Sequence, residues 1–237
     1  MTSANGIPDP SQPLPAGEEK VRAVRSIFDT IAPRYDLVNR ILTFRLDVRW
    51  RKDTVRRLAL PNNSSVLDLA CGTGDLCRDL ETAGHRPVGI DLSWGMLASA
   101  RTKAPLVHAD ALQLPVADQS VDGATCGFAL RNLTALEPFL VELARVLRPG
   151  GRIALLEVDS PKNPLLRFGH SIYFGRVVPL VGGILSNRNA YRYLPRSAVY
   201  LPPEDDLLNA ITAAKFGDVA KSRCSGGIAQ ILTATRI

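Results

Sequence analysis

The sequence predicts an α/β fold, a doubly wound, mostly parallel seven-stranded sheet with an N-terminal helical extension. From residue 61 onwards, short apolar runs alternate with helical stretches, a rhythm typical of parallel strands joined by crossover helices. The first apolar run leads directly into a glycine-rich turn, CGTGD at 71–75. In doubly wound folds such a turn joins the first strand to its helix and lets a ligand approach the backbone. Residues 18–60 show helical periodicity before the first strand, so they form the extension.

The N-terminal part of the chain divides into two predicted regions. Residues 1–17 contain four prolines and no apolar stretch behind a basic start. We therefore expect a disordered lead, no signal peptide and a cytoplasmic location. Residues 18–60 are predicted to form a helical cap of three helices, at 18–32, 35–44 and 46–60. The third helix is basic and amphipathic; we favour an apolar stripe facing the core, and contact with a membrane surface is the alternative.

Residues 61–237 form the second predicted domain. Five apolar runs are predicted to be buried parallel strands, at 65–70, 87–91, 106–110, 123–130 and 152–158. Three helices connect them, at 75–84, 93–103 and 133–147. We expect the last of these helices to begin with a capping box of Thr134 and Glu137 and to end at Pro149. The domain is completed by a mixed segment at 160–200, a helix from about Pro203, and two closing strands near Ser222 and at 228–234.

Charge and composition limit the classes of protein. The formal net charge of +6 attracts anionic partners in general, whether nucleic acid, anionic lipid or an acidic ligand. No segment resembles a nucleic-acid-binding module, so we expect no nucleic-acid partner. The four cysteines form no CxxC pair and have no histidine at ligand spacing, which argues against a metal site or disulfides. The apolar stretch at 172–185 contains Arg176 and Pro179 and is shorter than the ~20 residues of a bilayer span, so we expect no transmembrane helix.

The glycine-rich turn is the first feature that points to a ligand. Gly72 and Gly74 let backbone approach a ligand at the carboxyl end of the first strand. A dinucleotide-binding fingerprint would place Gly or Ala where this chain has Cys77, and the Gly-Lys-Ser/Thr of a P-loop is absent. Both phosphate-binding interpretations are therefore weakened.

Three acidic residues lie at the ends of three successive predicted strands. Asp68 precedes the glycine turn, Asp91 ends the second strand about 20 residues after it, and Asp110 closes the third. Any one of these residues alone is more often a helix cap or a turn residue. Together they suit a ligand with a ribose, an adenine and a cationic ammonium or sulfonium, and they repel a pyrophosphate. S-adenosylmethionine (SAM) has these features and NAD does not.

Several motifs resemble known ones. The segments VLDLACGTGD, GIDLSWGML, DALQLP and RVLRPGG resemble the ordered motifs of class I SAM-dependent methyltransferases. More narrowly, the chain is similar to the ubiquinone/menaquinone biosynthesis C-methyltransferase family in FDTIAPRYDLVNRIL (28–42), GFALRN (127–132), AYRYLPRS (190–197) and GGI (226–228). The resemblance covers residues 22–237. The glycine turn is common to all class I methyltransferases, whereas YDLVN and GFALRN are much more specific.

The resemblance implies transfer of a methyl group from SAM to a ring carbon of a polyprenylated quinol. The acceptor would be demethylmenaquinol or the methoxybenzoquinol precursor of ubiquinone. By position, the cofactor-binding residues would be Asp68, Gly72, Thr73, Gly74, Asp91, Asp110, Ala111, Gly127 and Tyr35. The family places Thr73 and the glycines at the methionine part, Asp91 at the ribose, and Asp110 with Ala111 at the adenine. Asn39, Tyr191 and Tyr193 would contact the quinol, with residues 164–185 as the apolar wall of its pocket.

Two polar residues, Arg131 and Asn132, follow the fourth predicted strand, whose carboxyl end faces the reacting methyl group in this fold. A ring carbon attacks best when the neighbouring hydroxyl is ionised, and a fixed Arg131 would stabilise that phenolate. Arginine is not a base at neutral pH, so a water or a carboxylate must take the proton. The alternative is structural: Arg131 pairs with an acid such as Glu157, and Asn132 caps the next helix.

The chain departs from the family pattern at three positions. Arg45 stands where the family commonly has glycine, and Asp47 and Leu232 stand where it commonly has histidines. Asp47 could take over the histidine's work as a catalytic residue, or the acceptor could differ. Methylation of another lipid or aromatic acceptor, on oxygen or carbon, and a non-catalytic cofactor-binding protein therefore remain alternatives. Peripheral membrane contact and a homodimer are likewise open.

Overall fold

The computed structural model describes residues 15–237. The predicted disordered lead at 1–17 lies outside the described residues except for its last three positions, and Gly17 already begins the first helix. The fold class is the predicted one, a doubly wound, mostly parallel seven-stranded sheet with an N-terminal helical extension.

The sheet contains seven strands in the order β3-β2-β1-β4-β5-β7-β6. They are β1 (Ser65–Leu69), β2 (Arg86–Asp91), β3 (Leu106–His108), β4 (Val121–Gly127), β5 (Leu147–Val158), β6 (Phe216–Cys224) and β7 (Ala229–Arg236). Strands β1 to β5 pair in parallel, whereas β7 runs antiparallel to both of its neighbours. Leu69 pairs with Ile90 and with Cys126, so β1, β2 and β4 end side by side. The strand order reverses between β1 and β4, which is where doubly wound folds bind their ligands.

The helices α4 (Asp75–Thr82), α5 (Trp94–Ala98), α6 (Leu136–Val146) and α10 (Glu204–Ala213) connect the strands. The main core lies between the sheet and helices α6 and α10, around the buried side chains of Phe139, Leu143, Ile211 and Phe216. Burial of such side chains is the principal stabilising contribution in a sheet covered by helices.

Several predicted boundaries are wrong. Helix α5 ends at Ala98 rather than 103, because the following chain turns back to the glycine loop, where the Arg101 amide donates to the Thr73 carbonyl. Helix α6 begins at Leu136 with Ala135 as its N-cap, so the capping box of Thr134 and Glu137 does not start it. The fourth strand ends at 127 rather than 130, because residues 130–132 form a 3-10 turn. Residues 147–151 belong to β5 rather than to a helix end.

The helical extension consists of α1 (Gly17–Ile31), α2 (Tyr35–Leu42) and α3 (Leu46–Leu58). Helix α3 packs on the sheet through Val55 and Leu58. Its basic side chains are exposed, namely Arg49, Lys52, Arg56 and Arg57, except for Arg51, which is buried. The favoured interpretation of its apolar stripe is therefore confirmed. Helices α1 and α2 pack against two helices that follow the last parallel strand, α8 (Val178–Leu185) and α9 (Arg188–Ser197), through Ile27, Val38 and Tyr191.

The mixed segment predicted at 160–200 is helical. It comprises α7 (Pro164–Ile172), a π-helical turn at Tyr173–Val177, α8 (Val178–Leu185) and α9 (Arg188–Ser197). Pro164–Leu185 is one helix of 22 residues, long and apolar enough by length and composition to cross a membrane. The expected length of the apolar segment, 172–185, is therefore wrong, because the helix begins at Pro164 and Pro179 lies in the first turn of α8, where it does not end the helix. Most of this helix is exposed on the described molecule.

Candidate active site

Three adjoining cavities lie at the carboxyl ends of β1, β2 and β4. The apolar cavity has a volume of about 420 Å³ and is lined by Phe44, Trp50, Arg131 and Leu166, among others. The acidic cleft, about 120 Å³, is lined by residues that include Asp91 and Asp110. The loop cavity, about 60 Å³, lies against the glycine turn, residues 71–73. Tyr35 and Phe128 line all three cavities, so they mark the point where these meet.

The acidic cleft is built from the ends of β2 and β3. The Asp91 carboxylate is fixed by backbone, since it accepts hydrogen bonds from the Gly72 amide and the Ser93 amide, both at 2.7 Å. Burial raises the pKa of Asp91 above its ordinary range, and the two backbone donors oppose that shift. Six predicted cofactor residues line this cleft, namely Tyr35, Gly72, Asp91, Asp110, Ala111 and Gly127.

The glycine turn leaves open space beside its backbone. Gly72 has a φ of +56°, and a Cβ at this position would meet nothing within 4 Å. Gly74 serves a different purpose, because its Cβ would lie 2.6 Å from Cγ2 of Thr102, so this glycine permits close packing. The hydroxyl of Thr73 donates to Asp36 at 2.5 Å, which ties the turn to α2. Gly72 and Thr73 line the loop cavity, and Gly74 packs behind it.

Asp68 is a fully buried carboxyl group at the end of β1 and lines the loop cavity. The hydroxyl of Thr125 donates to it at 2.9 Å, and the thiol of Cys77 does so at 3.4 Å. Burial raises the pKa of Asp68 to about 7, although both donors act in the opposite direction. A cationic ligand in the loop cavity would favour the ionised form of this carboxyl group.

Arg131 is buried and lines the apolar cavity. It forms a close ion pair with Glu157, a fully buried side chain on β5. Its guanidinium also donates to the Phe128 carbonyl at 2.8 Å and to the Ser197 hydroxyl at 3.1 Å. The structural alternative for Arg131 therefore describes a real contact, and the same contact holds the guanidinium in a fixed orientation at the cavity wall.

Asn132 faces the acidic cleft. It is 9% exposed, and neither its amide nitrogen nor its amide oxygen has a hydrogen-bond partner among residues 15–237. Helix α6 is capped at Ala135, so the interpretation of Asn132 as a helix cap is wrong. A buried amide without a partner is costly unless a ligand or water satisfies it.

Asp47 lies between two cavities, since it lines both the apolar cavity and the loop cavity. One carboxylate oxygen accepts from the Thr43 hydroxyl at 2.6 Å, and the other pairs with Arg51 at 2.6 Å. Arg51 also pairs with Asp75 at 3.0 Å and with Asp79 at 3.2 Å. This network anchors α3 to α4, the helix that follows the glycine turn.

The three predicted substrate residues are not all in one place. Asn39 lines the apolar cavity and the loop cavity. Tyr191 and Tyr193 are 0% and 3% exposed and pack in the core between the helical extension and α8. Tyr191 fills the space that Gly182 leaves, where a Cβ would lie 2.2 Å from the ring. The expectation that these two tyrosines line the quinol pocket is corrected, because their rings hold α8 and α9 against α1 and α2 instead.

Sequence reasoning missed Phe128, Trp50 and His170, which all line the apolar cavity. His170 lies four residues after Leu166 and three before Tyr173 on one continuous helix. Residues at these spacings share a helix face, so the periodicity of 164–185 was the signal that could have placed His170 at the cavity. Phe128 has a φ of +59°, which no sequence pattern indicated.

The comparisons with known proteins decide the family. Residues 15–236 match the model of the ubiE/COQ5 methyltransferase family. The chain belongs to the ubiE/COQ5 methyltransferase family. It is accordingly a SAM-dependent C-methyltransferase.

Two curated relatives illustrate the similarity. The ubiquinone/menaquinone biosynthesis C-methyltransferase UbiE of Syntrophotalea carbinolica is 40% identical over 90% of this chain and 93% of its own. The demethylmenaquinone methyltransferase of Roseiflexus castenholzii is 41% identical, over 93% of this chain and 96% of its own.

Solved structures agree in fold. Phosphoethanolamine N-methyltransferase 2 of Haemonchus contortus, in complex with SAM, has a TM-score of 0.59 at 12% identity, over 79% of this chain and 52% of its own. The cyclase SpnF has a TM-score of 0.58 at 18% identity, over 80% of both chains. At these identities the likeness shows the fold alone, and it includes a protein described as a cyclase.

The residues of this chain fit SAM. The open space beside Gly72 lets a ligand contact the backbone directly. The side-chain amide of Asn132, which has no partner among the described residues, can form hydrogen bonds with a ligand. The carboxylates of Asp68, Asp91 and Asp110 offer acceptors for hydroxyl groups and charge compensation for a cation.

Proposed function

We propose that this member of the family methylates a ring carbon of a polyprenylated quinol, either demethylmenaquinol or the methoxybenzoquinol precursor of ubiquinone. The observation that carries the proposal is the apolar cavity of about 420 Å³, which adjoins the loop cavity at Tyr35 and Phe128. Apolar walls with few polar groups suit an aromatic ring that carries a hydrocarbon tail. The names of the relatives support the same acceptor.

The cofactor would occupy the acidic cleft and the loop cavity together. Asp91 binds the ribose hydroxyls, and Asp110 with Ala111 borders the adenine. Gly72 and Thr73 accommodate the methionine part, where Asp68 faces its positive charge. SAM supplies an electrophilic methyl group there. Tyr35 and Gly127 then border the sulfonium, because they lie where the cleft and the loop cavity meet.

Arg131 would act on the acceptor. Its guanidinium is held by Glu157 and by the Phe128 carbonyl, so it needs no reorganisation to stabilise a phenolate in the apolar cavity. The ring carbon beside a phenolate is the more electron-rich one, which favours attack from carbon. Asn132, one residue later, offers its amide to the cofactor side of the same junction. Placement of both reactants side by side lowers the barrier further.

Asp47 would take the proton that the ring carbon loses, directly or through a water. It is the carboxylate that lines both the apolar cavity and the loop cavity. The Thr43 hydroxyl and Arg51 keep it oriented. The same substitution of a family histidine by Asp47 is the observation in favour of a different acceptor, such as another lipid or aromatic ring.

Peripheral contact with the inner face of a membrane belongs to this proposal, because a polyprenyl tail resides in the bilayer. Apolar side chains from α2, from the turn after it and from the helix 164–185 are exposed, namely Leu37, Ile41, Phe44, Leu165, Leu166, Phe168, Leu180 and Ile184. Three of them, Phe44, Leu165 and Leu166, also line the apolar cavity. Exposed arginines, Arg34, Arg167 and Arg176, adjoin this face. Such a combination of apolar and basic side chains favours an anionic lipid surface.

The proposed function is tested with purified protein, methyl-labelled SAM and reduced demethylmenaquinone with a short tail, followed by mass spectrometry. We expect label on the ring carbon. Label on oxygen would favour the other class of acceptor. Absence of label on the quinol, in protein that binds SAM, would contradict the quinol as acceptor.

A further inference from the structure

One imidazole at the apolar cavity has an unused hydrogen-bonding atom. His170 on α7 lines this cavity, and its Nε2 is buried without a partner among the residues that the structure describes. The other two histidines, His85 and His108, lie outside the lining of this cavity. His170 is therefore the imidazole that can reach a ligand there.

The other polar groups of the cavity wall are already engaged. Trp50 Nε1 donates to the Ser225 hydroxyl at 2.9 Å, and the Tyr173 hydroxyl donates to the Leu42 carbonyl at 2.6 Å. Asp47 is held by Thr43 and Arg51, and Arg131 by Glu157, as described above. A buried polar atom that lacks a partner in an otherwise satisfied wall is the one a ligand is expected to complete.

The orientation of the His170 ring is set by its neighbours. It lies one helical turn before Phe174, and the two ring centroids are 4.4 Å apart at an interplanar angle of 39°. Gly169 and Phe174 also line the cavity, so the helix presents this face to it. Aromatic contacts at this distance fix a ring without consuming its nitrogen atoms.

The surroundings keep His170 neutral. Burial lowers its pKa below the ordinary 6.5, and the Asp159 carboxylate, in the loop after β5, opposes the shift in part. The other titratable or charged groups that line the cavity are Tyr35, Asp47, Arg131 and Tyr173. A neutral imidazole has one nitrogen that donates and one that accepts, so Nε2 can accept from a hydroxyl group or donate to an oxygen.

We propose that His170 binds the acceptor directly, through a hydrogen bond between Nε2 and an oxygen of the acceptor ring. The proposal rests on the proposed function, since it presumes an aromatic acceptor with ring hydroxyls. Arg131 in the turn after β4 and His170 on α7 belong to different parts of the cavity wall. Two polar contacts from different elements fix the rotation of a ring, and thereby select the carbon that faces the methyl group.

The test compares His170→Phe, His170→Gln and Ser171→Ala in the full chain. Ser171 is the matched control, because it is exposed on the same helix and donates to the Phe168 carbonyl. With short-tailed demethylmenaquinol, we expect His170→Phe to raise the acceptor KM about tenfold, the value of one hydrogen bond. His170→Gln keeps a donor and an acceptor and is expected to stay within about threefold of the wild type. SAM affinity is expected to remain unchanged in all three variants.

The pH dependence separates binding from a merely structural role. The ring oxygens of the quinol carry hydrogens, so Nε2 accepts from a ring hydroxyl, and protonation of the imidazole removes this acceptor. We therefore expect the acceptor KM of the wild type to rise as pH falls through the pKa of His170, which burial lowers, and that of His170→Gln to stay level. Equal KM values for His170→Phe and Ser171→Ala would overturn the proposal. Equal increases of the acceptor KM in His170→Phe and His170→Gln, with the pH dependence of the wild type retained in both variants, would also overturn it.

A second readout distinguishes failure of this proposal from failure of the proposed function. Trp50 lines the apolar cavity, so quenching of tryptophan fluorescence reports the binding of 1,4-naphthoquinone as a probe. If the wild type transfers no methyl group but binds the probe, weaker binding by His170→Phe still supports the contact. If the wild type neither turns over nor binds the probe, both the function and the contact are overturned.

Discussion

The two halves of the active site are built in different ways. The acidic cleft and the loop cavity lie on the ends of parallel strands, where backbone amides fix Asp91 and a left-handed Gly72 exposes the chain. The apolar cavity is enclosed largely by helices α2, α3 and α7, with Arg131 and Val158 from the sheet edge. The cofactor side thus depends on a rigid scaffold, and the acceptor side depends on how separate helices pack.

The largest effect is expected from Arg131→Ala, which should lower turnover with little change in SAM affinity. Loss of a fixed donor to a developing oxyanion lowers kcat by about 10²–10³-fold. SAM affinity should change little, because Arg131 does not line the acidic cleft or the loop cavity. Turnover and calorimetric SAM binding measure the two effects separately.

Stability is the necessary control for Arg131→Ala. The variant leaves the buried Glu157 unpaired, which costs about 3–5 kcal/mol of unfolding free energy. In the double variant Arg131→Met with Glu157→Gln no charge is left unpaired, so we expect most of the stability to return without the activity. Recovery of turnover in this double variant would show that Arg131 has only a structural role.

The second effect tests the cofactor side. Gly72→Ala places a side chain at φ +56°, which costs about 1–2 kcal/mol, and fills space that the cofactor needs. We expect SAM affinity to fall about 30-fold, with naphthoquinone binding retained. Gly84→Ala is the matched control, since Gly84 has a φ of +81° in the turn between α4 and β2, outside all three cavities. If both variants weaken SAM binding equally, the loss comes from strain alone.

The third effect concerns the exposed apolar face. Phe168 is 65% exposed on α7, and Phe168→Glu replaces an apolar contact with a charge that anionic lipid repels. We expect partition onto anionic vesicles to fall about tenfold, while turnover of a short-tailed, soluble quinol stays the same. Val141→Glu is a control of similar exposure, 60%, on α6. Equal partition of both variants would contradict a docking role for this face.

The smallest effect is a pH dependence that originates at Asp68. The pKa of Asp68 is about 7 in the folded protein, against an ordinary value of 3.8, so the folded protein binds this proton more tightly than the unfolded chain does. The contribution of this proton to the free energy of unfolding is fully present below the ordinary pKa and is lost as pH rises through about 7. The free energy of unfolding of Asp68→Asn should therefore decline less between pH 5 and 8 than that of the wild type. The exposed variant Asp118→Asn should keep the wild-type slope, and identical slopes for all three proteins would contradict the assignment.

The cofactor side could be predicted well from the sequence, because its residues follow strand ends in contiguous motifs. Asp91 and Asp110 each end a short apolar run, and parallel strands bring such residues to one edge. The acceptor side could be predicted less well, since its wall is assembled from residues more than 100 positions apart, such as Phe44 and His170. Tyr191 shows the limit: its segment, AYRYLPRS, resembles the family's, yet packing against Gly182 places its ring in the core.

The most direct test of this two-sided site is a crystal structure with S-adenosylhomocysteine and a short-tailed menaquinone. We predict the adenosine in the acidic cleft beside Asp91 and Asp110, and the quinone ring in the apolar cavity between Phe128 and His170. The ring should approach the sulfur position at Tyr35, where the cavities meet. A quinone bound elsewhere, in protein that holds the cofactor as predicted, would contradict the assignment of the apolar cavity to the acceptor.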